Sequence, residues 1–117
     1  MVEKKRVAEL YSLASQLAMH YPSKAITAYI FGMYHYLLGK WDLARKNFNK
    51  AIQLDRKQLQ SWIMLGHSFA KQEESEQAMN VYRNCIQLFP NSYLPHLFIG
   101  MEYIRVNNLE TAFLSLS

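Results

Sequence analysis

The side chains of this sequence that are best suited to catalysis or metal binding are four histidines and one cysteine. They are His20, His35, His67, His96 and Cys85. No histidine has another histidine four residues away with a carboxylate between them, which is the spacing that zinc hydrolases use. A single cysteine forms no disulfide within one chain and no multi-cysteine zinc site. The sequence therefore predicts no metal site.

One tripeptide, Gly66-His67-Ser68, matches the first half of the nucleophile elbow of hydrolases. The elbow closes with a second glycine and follows a strand, but Ala70 stands at the closing position and no strand pattern precedes it. Ser68 is therefore interpreted as a helix residue. The sequence also lacks a glycine-rich phosphate loop, so we expect no enzymatic activity and no cofactor.

Composition places the chain among globular proteins that work inside the cell. Half of its 117 residues are hydrophobic, and 13 Lys+Arg against 9 Asp+Glu give a net charge of +4. The basic residues are scattered except at Lys4-Lys5-Arg6, so they favour an acidic partner weakly and form no nucleic-acid stripe. The single cysteine predicts a reducing compartment, and the sequence shows no signal-peptide or membrane-spanning apolar run.

Apolar residues recur at helical spacing along the whole chain. This pattern predicts helices over 3–20, 25–38, 42–54, 59–72, 76–88 and 93–106, and another from 109 onward. No segment alternates with a period of two, so no strand is predicted. Because the connections are short, neighbouring helices must run antiparallel.

Small residues mark a repeat with a period of 34 residues. Glycine recurs at Gly32, Gly66 and Gly100, alanine follows at Ala44, Ala78 and Ala112, and bulky residues come next at Phe48, Tyr82 and Leu116. Such a period is typical of stacked helical hairpins. We predict that each glycine faces its alanine where two helices cross, and that Cys85 is a buried packing residue.

The spacing around these glycines resembles the tetratricopeptide-repeat family. Trp62 lies four residues before Gly66, Phe69 lies three after it, and Pro90 closes the repeat. Residues 59–92 fit nearly every position of the family pattern, whereas the preceding repeat departs at Ala28, His35 and Arg56 and the following one at His96. The positions assigned to packing are Gly32, Ala44, Phe48, Trp62, Gly66, Ala78, Tyr82, Pro90, Gly100, Tyr103 and Ala112, and His35 and His96 are interpreted as structural.

This resemblance implies an all-α fold, a superhelix of antiparallel helix pairs. Residues 1–24 correspond to the second helix of a preceding repeat, 25–58 and 59–92 to complete repeats, and 93–117 to a repeat truncated in its second helix. Solenoids need capping helices, and none is recognisable, so we expect a fragment of a longer array. Arrays of this kind bind other proteins.

Several motifs go beyond what the repeat itself requires. Residues 66–70 (GHSFA), 76–79 (EQAM) and 93–103 (YLPHLFIGMEY) resemble the cell-division-cycle protein sixteen family, which is subunit six of the anaphase-promoting complex. The resemblance implies a non-catalytic scaffold of a nuclear and cytoplasmic ubiquitin ligase that controls mitotic exit. In that family the superhelical groove holds a segment of a very small companion subunit, and full-length members self-associate.

In stacked pairs the first helices line the concave face. The positions expected to be exposed there are Ile26, Tyr29, Met33, Tyr36, Leu37, Gln60, Ile63, His67, Ala70, Lys71, Leu94, Leu97, Met101, Ile104 and Arg105. So apolar a surface usually marks an interaction site, although several of these residues would alternatively pack against flanking repeats. Lys71 and Arg105 are predicted to pair with carboxylates of the partner.

Two other classes of binding protein are alternatives. A co-chaperone of the same fold holds a carboxylate with a polar clamp, but here the clamp positions carry Tyr29, Met33, Met64, Leu94 and Phe98. A helical-repeat RNA binder has a slightly longer period. The strict period, Trp62 and Pro90 argue against it, as does the weak basic patterning.

Overall fold

The chain folds into a row of antiparallel α-helices. In this computed structural model the backbone is described for residues 4–116 and the side chains for residues 4–107. The helices are α1 (Lys4–His20), α2 (Ala25–Leu37), α3 (Trp41–Leu54), α4 (Leu59–Lys71), α5 (Ser75–Leu88) and α6 (Leu94–Leu116). Residues 4–116 contain no strand. The prediction of an all-α fold is confirmed, and the described ends of α1 to α5 agree with the predicted ends within one residue.

The same turn closes both complete hairpins. Gly39 and Glu73, each seven residues after a repeat glycine, have φ of 77° and 61°. Lys40 N–H donates to His35 O at 2.9 Å, and Glu74 N–H donates to Phe69 O at 3.0 Å. This six-to-one hydrogen bond defines the Schellman motif, which needs a left-handed residue just past the helix end. Glycine adopts that conformation freely, whereas Glu73 accepts some strain.

The helices form an elongated array. Among residues 4–116, extensive contacts join only helices that are adjacent in sequence, from α1–α2 to α5–α6. The radius of gyration is 15.8 Å and the principal extents are 55 × 35 × 19 Å, whereas a compact domain of this length has a radius of gyration of about 13 Å. The chain therefore buries its apolar residues along a continuous seam.

Aromatic rings are the nearest neighbours of the glycines in the two complete repeats. A Cβ on Gly32 would lie 2.5 Å from Phe48 Cε1, and one on Gly66 would overlap the Tyr82 ring. Ala44 and Ala78, the alanines predicted to face these glycines, are fully buried. Long side chains on a helix point back toward its amino terminus, so each ring reaches over the turn that holds the alanine.

Helix α6 differs from the prediction, because one continuous helix replaces the two expected over 93–106 and from 109. The turn that was expected between these two helices is therefore absent within residues 94–116. In a continuous helix Ala112 lies about 18 Å along the axis from Gly100, and a Cβ on Gly100 would meet nothing within 4 Å. The side chain of Ala112 is outside the described residues. Extending an existing helix adds hydrogen bonds without the cost of nucleating another helix. Asn107 lies seven residues after Gly100, the position that Gly39 holds after Gly32, but Asn107 remains helical.

Most packing residues of the complete repeats are buried, namely Gly32, Ala44, Phe48, Gly66, Ala78 and Tyr82, and Trp62 is half-buried. Pro90, which was also assigned to packing, is exposed. Trp62 Nε1 donates to Arg56 O at 3.0 Å, which ties α4 to the turn before it. The His35 ring hydrogen-bonds Phe31 O at 2.8 Å, which confirms a structural role. His96 and Tyr103 are exposed, contrary to the packing role assigned to them. Within residues 4–116, α6 runs on as one helix, so no following helix packs back against it.

The only cysteine is fully buried. Burial raises the pKa of the Cys85 thiol to about 11, so the thiol is protonated at neutral pH. This confirms the interpretation of Cys85 as a packing residue.

Candidate partner-binding cleft

A cleft of about 360 Å³ runs across three helices, α2, α4 and α6, on the face of the array where a partner was predicted to bind. Its lining comprises Tyr36, His67, Ala70, Lys71, Tyr82, Phe98, Met101, Glu102 and Arg105. The structure thus brings six of the predicted groove residues together: Tyr36, His67, Ala70, Lys71, Met101 and Arg105. We call this space the first-helix cleft.

The floor of the first-helix cleft is aromatic and uncharged. The Tyr82 hydroxyl lies 2.7 Å from His67 Nδ1, and the Phe98 ring meets the His67 ring edge-on at 4.5 Å. Burial, helped by the charge of Lys71, lowers the pKa of His67, so its imidazole is neutral. Burial raises the pKa of Tyr82, which keeps its hydroxyl protonated.

One wall of the cleft carries a closed ion pair. Glu102 is buried and accepts hydrogen bonds from Ser75 Oγ at 2.6 Å, from Arg105 Nε at 3.1 Å, and from Arg105 Nη2. Burial alone would raise the pKa of Glu102, but the hydrogen bonds from Arg105 and Ser75 and the charge of Arg105 hold it below its ordinary value. Buried charges need such pairing.

The pairing with Glu102 corrects the prediction for Arg105. Its guanidinium bonds Glu102 and also donates to Ser75 Oγ at 2.5 Å, so it is held within the chain between α5 and α6 and is not available to a partner carboxylate. Lys71, by contrast, is exposed and its side chain makes no hydrogen bond or ion pair within residues 4–107.

The other predicted groove residues lie outside the cleft lining. Ile26, Gln60, Leu97 and Ile104 are exposed, and Tyr29, Met33, Leu37 and Leu94 are half-buried. Ile63 is buried, so its predicted exposure is wrong. The ring of Tyr29 lies 5.9 Å from the ring of Phe48, so part of this side chain belongs to the core.

A second cavity of about 580 Å³ lies between α1 and α2. It contains one predicted groove residue, Leu37, among Lys4, Val7, Ala8, Tyr11, Tyr34 and Leu38. The first-helix cleft is the better candidate, because it spans three helices and combines apolar walls with a few organised polar groups. Within the described side chains, no group of three or more His, Cys, Asp or Glu residues is placed to hold a metal ion.

Comparison with known proteins agrees with this geometry. Residues 59–92 match the tetratricopeptide-repeat family. Anaphase-promoting complex subunit 6 of Arabidopsis thaliana is 44% identical over 104 residues, 89% of this chain and 19% of that protein. The cell division cycle protein 16 homolog of Homo sapiens is 37% identical over 113 residues, 96% of this chain and 18% of that protein. This chain contains a tetratricopeptide repeat and is similar to anaphase-promoting complex subunit 6.

A solved structure supports the same similarity to subunit 6. The chain superposes on the crystal structure of the APC/C hetero-tetramer Cut9-Hcn1 with a TM-score of 0.80 and 33% identity, over 87% of this chain and 20% of that chain. This chain spans about a fifth of the length of these subunit 6 relatives. None of the helices in the described range is long and apolar enough to cross a bilayer.

Two residues of the cleft were missed by sequence reasoning as residues a partner could contact, Tyr82 and Glu102. Tyr82 was assigned to packing alone, although its hydroxyl reaches His67. For Glu102 a signal existed, since a lone carboxylate in an apolar helix has an arginine three residues later, at Arg105. Phe98 was placed on the groove only as a clamp position in the comparison with co-chaperones, and the structure puts it in the cleft lining.

Proposed function

We propose that this chain is a non-catalytic scaffold of the anaphase-promoting complex, and that its first-helix cleft holds a segment of a small companion subunit. The single observation that carries the proposal is the cleft itself, which crosses three successive first helices and is lined by residues at equivalent repeat positions. Similarity to Cut9, whose crystal structure is a complex with Hcn1, supports the kind of partner.

The surface around the cleft suits a protein segment. Leu97, Met101 and Ile104 on α6 are 49%, 55% and 62% exposed. They form a row of solvent-exposed apolar side chains, of which Met101 lines the cleft. Exposed apolar patches of this kind mark interaction surfaces. Methionine and aromatic side chains are well suited to grip an extended or helical segment.

The chemistry of the cleft supports binding over catalysis. The His67–Tyr82 pair brings together a neutral imidazole and a hydroxyl whose pKa is raised, so the hydroxyl is a poor nucleophile. The carboxylate of Glu102 is already paired with Arg105. As a scaffold of a ubiquitin ligase, the chain would act in the nucleus and cytoplasm, where Cys85 remains reduced.

The proposal is tested by calorimetric titration of purified Hcn1 into the chain and its variants. Leu97→Ala, in the exposed apolar row beside the cleft, is expected to weaken binding about tenfold. This loss corresponds to about 1.4 kcal/mol, the size of effect found at the minority of residues that dominate an interface. Tyr29→Ala is expected to weaken binding as well. The matched control is Leu54→Ala on α3, where leucine is similarly exposed, at 45%, but lies on a second helix.

Circular dichroism and thermal melting must show that each variant remains folded. This check matters most for Tyr29, whose ring also packs near Phe48. Unchanged affinity in both Leu97→Ala and Tyr29→Ala, or no binding of Hcn1 to the unaltered chain, would count against the companion-binding function.

A further inference from the structure

The first-helix cleft offers one unpaired charge to a partner. Its lining contains the ionisable side chains of Lys71, Glu102 and Arg105, but Glu102 and Arg105 form an ion pair with each other. His67 is neutral because burial lowers its pKa. The ammonium of Lys71, exposed and without a partner in residues 4–107, therefore carries the cleft's net positive charge.

The rest of the cleft accommodates a single large apolar group. The rings of Tyr36, His67, Tyr82 and Phe98 and the thioether of Met101 contribute most of the lining. A volume of about 360 Å³ lies at the lower end of the usual range for ligand pockets, about 300–1,000 Å³. Because the Tyr82 hydroxyl and His67 Nδ1 are hydrogen-bonded to each other, these two atoms do not require a polar group from the ligand.

We propose that the first-helix cleft selects a protein segment that carries one large apolar side chain, seated over His67 and Phe98, with one carboxylate beside it that pairs with Lys71. This inference deepens the proposed function by naming the chemistry of the partner segment. It assigns recognition of the acidic group to Lys71 alone, and it makes Arg105 a residue that positions α6 against α5.

The charge balance favours a carboxylate over a phosphate group. Phosphate recognition typically uses several charge-assisted donors, above all the fork of an arginine. In this cleft the arginine fork is held by Glu102 and Ser75, and the Glu102 carboxylate itself repels an anion with two charges. One ammonium at the rim matches one carboxylate.

The test uses a phage-displayed library of random 12-residue peptides, selected separately on the purified chain and on three variants. The unaltered chain is expected to enrich peptides that combine one Asp or Glu with a neighbouring Leu, Met or Phe. Lys71→Met is expected to retain the apolar preference and lose the acidic one. Ala70→Phe, which fills the cleft, is expected to lose both. The control is Lys50→Met, an exposed lysine on α3 outside the cleft.

A calorimetric pair then measures the charge contact. The best peptide is compared with its single Asp→Asn or Glu→Gln version. The amide version is expected to bind the unaltered chain about three- to fivefold more weakly, as an exposed ion pair implies, and to bind Lys71→Met no more weakly than the acidic version does.

The proposal is overturned if Lys71→Met selects the same acidic peptides as the unaltered chain, if no acidic preference emerges, or if the library returns no binder. These outcomes are separate from the titration with Hcn1. A selected acidic and apolar motif together with no Hcn1 binding would reject the companion and keep the recognition chemistry.

Discussion

The Tyr82 hydroxyl and His67 Nδ1 are hydrogen-bonded at 2.7 Å, so a residue of α5 orients a side chain of α4 within the cleft. The ring of the same tyrosine fills the space beside Gly66. Tyr82 therefore links the spacing of the two helices of one repeat to the shape of the surface that a partner would contact.

Tyr82→Phe should destabilise the chain by about 1 kcal/mol. The substitution keeps the ring but removes the hydroxyl that is hydrogen-bonded to His67, and a lost internal hydrogen bond typically costs about 0.5–1.5 kcal/mol. Urea unfolding followed by circular dichroism measures the change. Tyr93→Phe is the matched control. Because Tyr93 is 74% exposed, removing its hydroxyl should change stability less than removing the Tyr82 hydroxyl does. Equal effects in the two variants would mean that the Tyr82–His67 bond contributes nothing.

Two glycines of the same phase should respond oppositely to alanine. Gly66→Ala places a methyl group against the Tyr82 ring, and overpacking costs about 1–3 kcal/mol, which outweighs the better helix propensity of alanine. Gly100→Ala meets no atom within 4 Å, so the propensity gain of about 0.8–1 kcal/mol should remain. Thermal melting compares the two variants, and a loss of stability in Gly100→Ala would contradict the open surface seen there.

Glu102 should make stability depend on pH in the acidic range. Its pKa in the folded chain lies below the ordinary value of 4.5, against the opposing effect of burial, because Arg105 and Ser75 hydrogen-bond the carboxylate. A depressed pKa means that the stabilisation is complete above about pH 4.5 and is lost as the pH falls through the folded-state pKa.

This pH dependence is measured by unfolding the chain and Glu102→Gln at several pH values between 3 and 7, on the basis of the linkage between protonation and stability. The stability advantage of the unaltered chain over Glu102→Gln should shrink toward low pH. A constant difference between the two across this range would show that the carboxylate is not specifically stabilised in the folded state.

Cys85 should react slowly with a disulfide reagent such as DTNB until the chain unfolds. Raising the thiol pKa from 9.0 to about 11 lowers the thiolate fraction at pH 8 about 100-fold, and only the thiolate reacts. Burial lowers the rate further. The reaction is followed by absorbance in buffer and in urea at a concentration that unfolds the chain. A similar rate in both would contradict burial of Cys85.

The helix pairs were predictable because the information for them is local and periodic. Helical spacing of apolar residues located α1 to α5, and the 34-residue interval between Gly32 and Gly66 located the hairpins. Which atom fills the space at each glycine was not predictable, since it depends on the direction of the Phe48 and Tyr82 side chains in three dimensions.

The cleft was predictable in position and only partly in chemistry. Repeat phase placed Tyr36, His67 and Lys71 on one surface, and the structure brings them together. Whether Arg105 pairs within the chain or with a partner depends on the burial of Glu102 and on the approach of Ser75 from α5. Neither of these follows from spacing along one helix. Whether α6 ends near Asn107 or continues depends on the relative stability of a turn and of further helix at that point. The repeat pattern does not determine which of the two is more stable.

Within the part of the chain that the structure describes, extensive contacts join only helices that follow one another in sequence. Folding can therefore begin at any hairpin and spread to its neighbours, because no element waits for a distant one to arrive. For the same reason a whole hairpin of 34 residues can be duplicated or deleted in evolution while the remaining hairpins keep their own packing. Such changes would lengthen or shorten the binding surface in steps of one repeat.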